Sequence, residues 1–105
     1  MFPKPLRGDV WLADFGIAAK TRPCLILSDF PTGNERSLIM VVPHTTSLRG
    51  TPWEIQVPKA FLQPGAFDIQ QLGPIPTPRL MRRIGVLTDE ELNSVLDGIC
   101  KFLAL

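Results

Sequence analysis

The chain has 105 residues, a length typical of one domain that buries a modest core of its own. A formal net charge of +1 and a hydrophobic content of 45% favour an ordinary globular protein and give no general sign of nucleic-acid binding. Apolar runs stay well short of the roughly 20 residues that span a bilayer, and residues 1–9 lack the apolar core of a signal peptide, so we expect a cytoplasmic protein.

The first third of the chain predicts two strands. After a proline-rich lead-in, alternation over residues 9–15 predicts one strand, and the apolar run over residues 24–28 predicts a second, buried one. A loop with Pro, Gly and Asn follows over residues 29–36. Cys24 and Cys100 each lie in an apolar run without metal-ligand spacing, so both are predicted to be buried packing thiols.

The segment from Ser37 to Val57 organises the rest of the chain. Residues 38–42 are an unbroken apolar run typical of a buried strand. Pro43 has no N–H to give a ladder and is predicted to end the pairing. Polar side chains then follow on a loop held by this stiff strand, an arrangement typical of functional sites: His44, Thr45, Thr46, Ser47 and Arg49. Alternation over residues 53–57 predicts the return strand.

The second half predicts shorter elements and one clear helix. Residues 59–62 fit a single helical turn, and strands are predicted over residues 66–72 and 79–86. Three prolines within residues 73–78 argue against a regular ladder there. T-D-E-E at residues 88–91 is a capping box, and apolar residues then recur at helical spacing to Leu103, as core or dimer contact. The element order predicts a mainly β fold, a small β-barrel with a C-terminal α-helix.

The residues available for chemistry fit a phosphate better than a metal or a nucleotide cofactor. The chain has no nucleophile elbow, P-loop, zinc spacing or dinucleotide loop. An arginine offers a bidentate fork to phosphate oxygens, and hydroxyls donate to the remaining ones. RNA carries its own 2′-OH nucleophile, so a protein that cuts RNA needs mainly to position it and to stabilise the developing charge. Residues 88–105 carry a net charge of −3, which leaves +4 on the other 87 residues. This basic body can bind phosphate locally, although on charge alone an ordinary mixed surface is the favoured explanation.

Four segments resemble, in the same order, the motifs of the MazF/PemK family, the toxins of type II toxin–antitoxin systems. They are R-G-D-V-W at residues 7–11, K-T-R-P at residues 20–23, V-P-H-T-T-S at residues 42–47, and Q-Q at residues 70–71. The resemblance covers nearly the whole chain as one toxin domain. It implies an SH3-like β-barrel of five to seven short strands with a C-terminal α-helix, a homodimer, and a cognate antitoxin protein as partner.

The resemblance also implies an activity and its residues. It implies metal-independent, cofactor-free and sequence-selective cleavage of single-stranded RNA, which leaves a 2′,3′-cyclic phosphate and a 5′-hydroxyl. Arg22 corresponds to the family's catalytic arginine and Thr45 to its catalytic threonine. RNA contacts are expected from the surrounding polar residues: Lys20, Thr46, Ser47, Arg49, Gln70, Gln71 and Arg79.

Two departures from the family pattern keep alternatives open. The connection Gly16–Lys20 is shorter than in the family and carries no acid, and Gln70 stands where the family has an acid. They keep open a degenerate member that binds RNA or antitoxin without cutting. A CcdB-like, gyrase-directed toxin of the same fold is a further alternative, over which the arginine and threonine motifs favour the enzyme. Strand alternation predicts that His44 packs or lies at the rim, away from the Thr45 face.

Overall fold

The computed structural model describes residues 4–16 and 20–105 and confirms the prediction of a mainly β fold with a C-terminal helix. The strands of the described residues are β1 (Asp9–Asp14), β2 (Thr21–Ile26), β3 (Leu38–Thr45), β4 (Glu54–Ile55), β5 (Ala66–Asp68), β6 (Gly73–Pro76) and β7 (Leu80–Val86). Short 3-10 turns follow β5 (Ile69–Gln71) and β6 (Thr77–Arg79), and α1 (Asp89–Phe102) ends the chain.

The seven strands form one antiparallel sheet in the order β4-β5-β3-β2-β1-β7, with β6 added on β3. In the described part of the chain the end strands β4 and β7 do not pair, so the predicted barrel is an unclosed sheet. Helix α1 contacts β4 and the 3-10 turn at Ile69–Gln71. The helix thus packs at the end of the sheet formed by β4, where no further strand is paired among the described residues.

The sheet has an apolar cluster on each of its two faces. Successive residues of a strand point to opposite faces, so one strand contributes side chains to both clusters. On the helix side, Val10 pairs with Leu25, Leu25 pairs with Val42, and all three pack with the helix residues Val95 and Ile99. The opposite face buries a second cluster that includes the following side chains: Trp11, Cys24, Ile26, Ile39, Val41 and Ile75.

Proline does not end β3, contrary to the prediction. The ladder between β2 and β3 runs from Ile26–Val41 to Cys24–Pro43 and stops there. Beyond it, β3 continues to Thr45 by pairing with β5 on its other side. A proline removes a donor from only one side of a strand, so Pro43 can end one ladder while the strand goes on.

The proline-rich segment 73–78 also pairs, again contrary to the prediction. Strand β6 pairs with residues Leu38–Val41 of β3, with Pro74 opposite Met40 and Pro76 opposite Leu38. Successive residues of a strand direct their N–H groups to opposite sides, and the Thr77 N–H bonds to Ser37 at 3.0 Å. The prolines therefore occupy positions whose nitrogen faces away from β3, which an edge strand tolerates.

Other boundaries move by a few residues. Strand β2 begins at Thr21 instead of residue 24, and the strand predicted over residues 53–57 shrinks to Glu54–Ile55. Strand β5 ends at Asp68 instead of residue 72, because the Asp68 side chain caps the 3-10 turn that follows. The turn predicted at residues 59–62 is closed by the Leu62 N–H, which bonds to Lys59 O at 3.0 Å.

Helix α1 has the predicted capping box. The Thr88 hydroxyl accepts from Glu91 N at 3.2 Å, and the Glu91 carboxylate accepts from Thr88 N at 2.8 Å. Its apolar stripe packs on the sheet and is core, although Leu103 lies beyond the helix end and is half exposed. In the described residues no helix is long and apolar enough to cross a bilayer.

The prediction for the two cysteines is half right. Cys24 is buried, and burial raises the pKa of its thiol to about 12. Cys100 is exposed, contrary to the prediction. Its neighbour Ile99 faces the core, but consecutive residues of a helix lie about 100° apart, so an apolar run does not place both on the same face.

Candidate functional site

A pocket of about 440 Å³ opens where strands β2 and β3 part. Its walls come from four neighbouring strands, β3, β2, β1 and β7, from the loop after β3 and from the turn before β5. The lining residues are Leu12, Thr21, Arg22, Pro23, His44, Thr45, Thr46, Ser47, Phe61, Gln63, Arg82 and Ile84. The polar loop that the sequence pointed to therefore meets the start of β2 at one cavity.

The two predicted catalytic residues come together at this pocket. Cys24 pairs with Pro43 at the end of the β2–β3 ladder, and the same register extended by two residues sets Arg22 opposite Thr45. Residues directly opposite each other in an antiparallel pair share one face of the sheet. The ladder ends two residues earlier, so the gap between the strands is accessible beside both side chains.

A chain of side-chain hydrogen bonds supports Arg22. Its Nη1 donates to Gln71 Oε1 at 3.4 Å, and Gln71 Nε2 donates to Asp68 Oδ2 at 2.9 Å. The other Asp68 oxygen accepts from Gln70 N at 3.1 Å. The sequence analysis missed Asp68, although an Asp just before a turn is a common side-chain cap. Asp68 thus places a carboxylate near the pocket, although Gln70 stands at the position where the family has its acid.

The Thr45 hydroxyl can donate a hydrogen bond at the pocket, because its known contact uses only an acceptor position. Its Oγ1 accepts from the Ser47 N–H at 3.0 Å. A hydroxyl has one donor and two acceptor positions, so this contact leaves the O–H free to point elsewhere. Thr46 and Ser47 lie exposed on the same loop, within the pocket lining.

His44 is packed, as predicted, but it lines the same pocket as Thr45, whereas strand alternation predicted the opposite face. Its side chain is buried, and its ring meets Phe67 edge-on at 5.1 Å between centroids. Burial lowers the pKa of His44 from its ordinary value of 6.5, which favours the neutral imidazole at pH 7. It forms part of the pocket wall without adding charge to it.

The three arginines near the start and middle of β7 have different contacts. Arg82 lines the pocket, opposite Leu12 of β1. Arg83 Nε lies 3.8 Å from the buried carboxylate of Asp9. The Nη1 of Arg79 donates to the backbone oxygen of Asp14 at 3.2 Å. The sequence analysis had selected Arg79 for RNA contact, whereas the structure brings Arg82 to the cavity.

Several other predicted RNA-binding residues lie outside the pocket lining. Lys20 is exposed and has a positive φ of 60°. Residues 17–19 of the short connection before it lie outside the described residues. Arg49 is exposed, and its backbone N–H donates to Glu54 Oε2 at 2.8 Å. Gln70 is exposed on the 3-10 turn, where its backbone bonds to Asp68. Gln71 also lies outside the lining, but its side chain accepts a hydrogen bond from Arg22, which lines the pocket.

The charges at the pocket favour an anion. Among the described residues that line it there are two arginines, three side-chain hydroxyls from Thr45 to Ser47, and no carboxylate. Guanidinium groups and hydroxyls together match the oxygens of a phosphate. In the described part of the chain no group of three or more His, Cys, Asp or Glu side chains is placed to hold a metal ion.

Comparison with known families identifies the chain. The model for PemK-like, MazF-like toxins of type II toxin–antitoxin systems matches residues 6–103. The chain belongs to this family of toxins. The family prediction drawn from the four motifs is therefore confirmed. A search of curated proteins found no match.

Solved structures agree with this assignment. The toxin superposes on the Mycobacterium tuberculosis toxin MazF-mt6 with a TM-score of 0.76 and 27% identity, over 92% of this chain and 97% of that one. An endoribonuclease in complex with its cognate antitoxin from a mycobacterial species gives a TM-score of 0.79 at 23% identity, over 96% of both chains. A MazE–MazF complex from Deinococcus radiodurans gives 0.80 at 19% identity, over 98% of both. The two more distant structures support the fold.

Proposed function

We propose that this toxin is an endoribonuclease that cuts single-stranded RNA at the pocket between β2 and β3. One observation carries the proposal: the arginine and the threonine implied by the family motifs line the same cavity, together with a second arginine, Arg82. The similarity to structures described as endoribonucleases supports the same activity. The cytoplasm, where messenger RNA is translated, is the compartment that we propose.

The proposed reaction uses the RNA's own nucleophile. The 2′-oxygen attacks the adjacent phosphorus, the bond to the 5′-oxygen breaks, and the products are a 2′,3′-cyclic phosphate and a 5′-hydroxyl. The 2′-OH gives up its proton, and the departing 5′-oxygen takes one up. Arg22 stabilises the charge that builds on the phosphoryl oxygens, and the Thr45 O–H donates to a non-bridging oxygen. Because an arginine is a poor base, we assign Arg22 this electrostatic role first.

The supporting network fits this role. Gln71 holds one N–H of the Arg22 guanidinium, which has five, and Asp68 holds the Gln71 amide. A guanidinium fixed in this way loses little freedom when phosphate binds. We further propose that the toxin acts as a homodimer and is silenced by a cognate antitoxin, as relatives of this fold are found in antitoxin complexes.

A cleavage assay tests the proposal. The purified toxin is incubated with a mixed single-stranded RNA pool in EDTA, beside Arg22→Ala and a matched control, Arg36→Ala, which removes an exposed arginine outside the pocket. We expect cutting by the wild type and by Arg36→Ala, and a loss of about 10²–10³-fold in rate for Arg22→Ala. The new ends should carry 5′-hydroxyls.

Two outcomes would contradict the proposal. A folded wild type that cuts no RNA would leave a binding member of the family, and inhibition of gyrase by the same preparation would support the gyrase-directed alternative. Equal cutting by the wild type and Arg22→Ala would remove Arg22 from the site.

A further inference from the structure

A second pocket, of about 530 Å³, lies directly beside the first. The two cavities share Thr46 and Gln63 in their walls. A ligand that binds at Arg22 and Thr45 therefore meets the second pocket at once if it is longer than a single phosphate. The second pocket has no part in the chemistry described above.

The second pocket differs from the first in chemistry. Its walls are largely apolar, with contributions from Leu48, Val57, Pro58 and Leu62. The polar side chains that join them are uncharged, apart from Lys59. The Lys59 ammonium is paired with Glu91 at 2.9 Å, so its charge is compensated within the protein. The lining thus offers apolar surface and amide groups in place of free positive charge.

This contrast matches the two parts of a nucleotide. A phosphate needs cations and donors, which the first pocket has, whereas a base has an apolar face and a polar edge. A side-chain amide, with a donor and an acceptor side by side, pairs well with such an edge. Gln56 and Gln63 are the amides of this pocket, and Leu48 is exposed at 46%, so apolar surface at the pocket is open to solvent.

We propose that the second pocket binds the nucleobase next to the scissile phosphate and gives the toxin part of its sequence selectivity. This inference rests on the proposed RNA cleavage. The base packs against Leu48 and Leu62, and Gln56 reads its polar edge. Gln63 lies between base and phosphate and helps to set their spacing. A protein partner with an apolar side chain is the competing occupant, and the experiment below separates the two.

The first measurement compares the cleavage sites of variants. RNA ends from a randomised pool are sequenced after digestion by the wild type, by Gln56→Ala and by Leu48→Ala. Asn93→Ala serves as control because it removes an exposed amide from α1 that lines neither pocket. We expect the pocket variants to lose base preference at one position beside the cut, by about tenfold, with the preference elsewhere unchanged. The control should keep the wild-type pattern.

The second measurement does not depend on cutting. Hexamers of 2′-O-methyl RNA, which lack the nucleophile, are bound to the wild type and to Gln56→Ala, and one abasic residue is moved along the hexamer. We expect one abasic position to weaken wild-type binding about tenfold and to weaken Gln56→Ala binding by clearly less, since only the packing against Leu48 and Leu62 is then lost. If the abasic residues have the same effect on both proteins, the second pocket does not hold a base.

The two assays keep the proposals apart. A wild type that binds hexamers with this pattern but cuts nothing would refute RNA cleavage and retain the base pocket. Cleavage with the same base preference in every variant would retain the enzyme and overturn the base pocket.

Discussion

At the scale of single residues, Asp68 is the side chain whose role the structure adds to the site. It accepts from the Gln71 amide at 2.9 Å, and the same amide accepts from Arg22 at 3.4 Å. Asp68 lies outside the described pocket lining, so we regard it as a positioning residue. A hydrogen bond to a charged group contributes about 1.5–3 kcal/mol, enough to hold an amide in one orientation.

We expect Asp68→Ala to lower the cleavage rate by about tenfold through Gln71 and Arg22. The amide is then free to rotate and no longer fixes the guanidinium. The decisive measurement is kcat and KM for Asp68→Ala, Gln71→Leu and the double variant. If Asp68 acts through Gln71, the double variant cuts as slowly as Gln71→Leu alone. Losses that simply multiply would show that Asp68 acts by another route, such as the capping of its own turn.

The two thiols differ enough to be distinguished chemically. Burial raises the pKa of Cys24 to about 12, whereas Cys100 is exposed on α1. Since the thiolate is the reactive form, a thiol reagent at pH 8 should label one cysteine in the native toxin and two in denaturant. Peptide mapping should find the native label at Cys100, and Cys100→Ser should abolish it. Native labelling of Cys24 would show that β2 opens readily.

Family motifs identified some residues of the site and not others. Arg22 and Thr45 sit in short motifs, R-P and V-P-x-T, that can be recognised without a structure. The link from Arg22 to Asp68 depends on a 3-10 turn at Ile69–Gln71, in a stretch whose alternation predicts a strand. Arg82 could be separated from its neighbours Arg79 and Arg83 only through the pairing of β7 with β1. Such contacts between distant segments have no local signal.

At the scale of elements, the loop before β5 can approach the end of β3 closely because residue 65 is a glycine. A Cβ added to Gly65 would overlap the backbone oxygen of Thr45 and would lie 2.9 Å from Cε1 of the His44 ring. The first neighbour is backbone and cannot move without moving the site. Close approach of backbone to backbone is one of the roles that only glycine fills.

We expect Gly65→Ala to lower the free energy of unfolding by about 1–3 kcal/mol and to slow cleavage as well. Gly73→Ala is the matched control, because the nearest atom to its added Cβ is 3.9 Å away. Denaturant midpoints with unchanged slopes would give the stability difference. A Gly65→Ala protein as stable as Gly73→Ala would mean that the loop can move away from β3 at little cost.

Prolines illustrate why element boundaries were harder to predict than element types. The terminal helix was predictable from local signals, since its capping box and apolar spacing lie within one segment. Whether Pro43 or Pro74 interrupts a ladder depends on which side of the strand has a partner. Strand β3 has β2 on one side and β5 and β6 on the other, so the same residue type ends one ladder and leaves another intact.

At the scale of the whole molecule, the sheet separates two cores, and the pocket lined by Arg22 and Thr45 lies at the place where two of its strands diverge. The unbroken apolar runs at residues 24–28 and 38–42 predict strands buried on both faces, which is consistent with a barrel. Whether the sheet closes depends on its end strands, and β4 has only two residues. The length of that strand is set by tertiary packing against α1 and β5, which a local pattern does not contain.

The stability of the whole molecule should fall as the pH drops below 6.5 because of His44. Burial lowers the pKa of this histidine from 6.5, so the unfolded chain takes up a proton more readily than the folded one. The stabilisation is complete above pH 6.5 and is lost as the pH falls through the folded-state pKa. Glu54 and Glu91, whose pKa values backbone N–H groups hold below 4.5, act only at lower pH. Denaturant unfolding at several pH values should therefore show a slope in this window that His44→Gln removes. The same slope in His44→Gln would place the responsible group elsewhere in the chain.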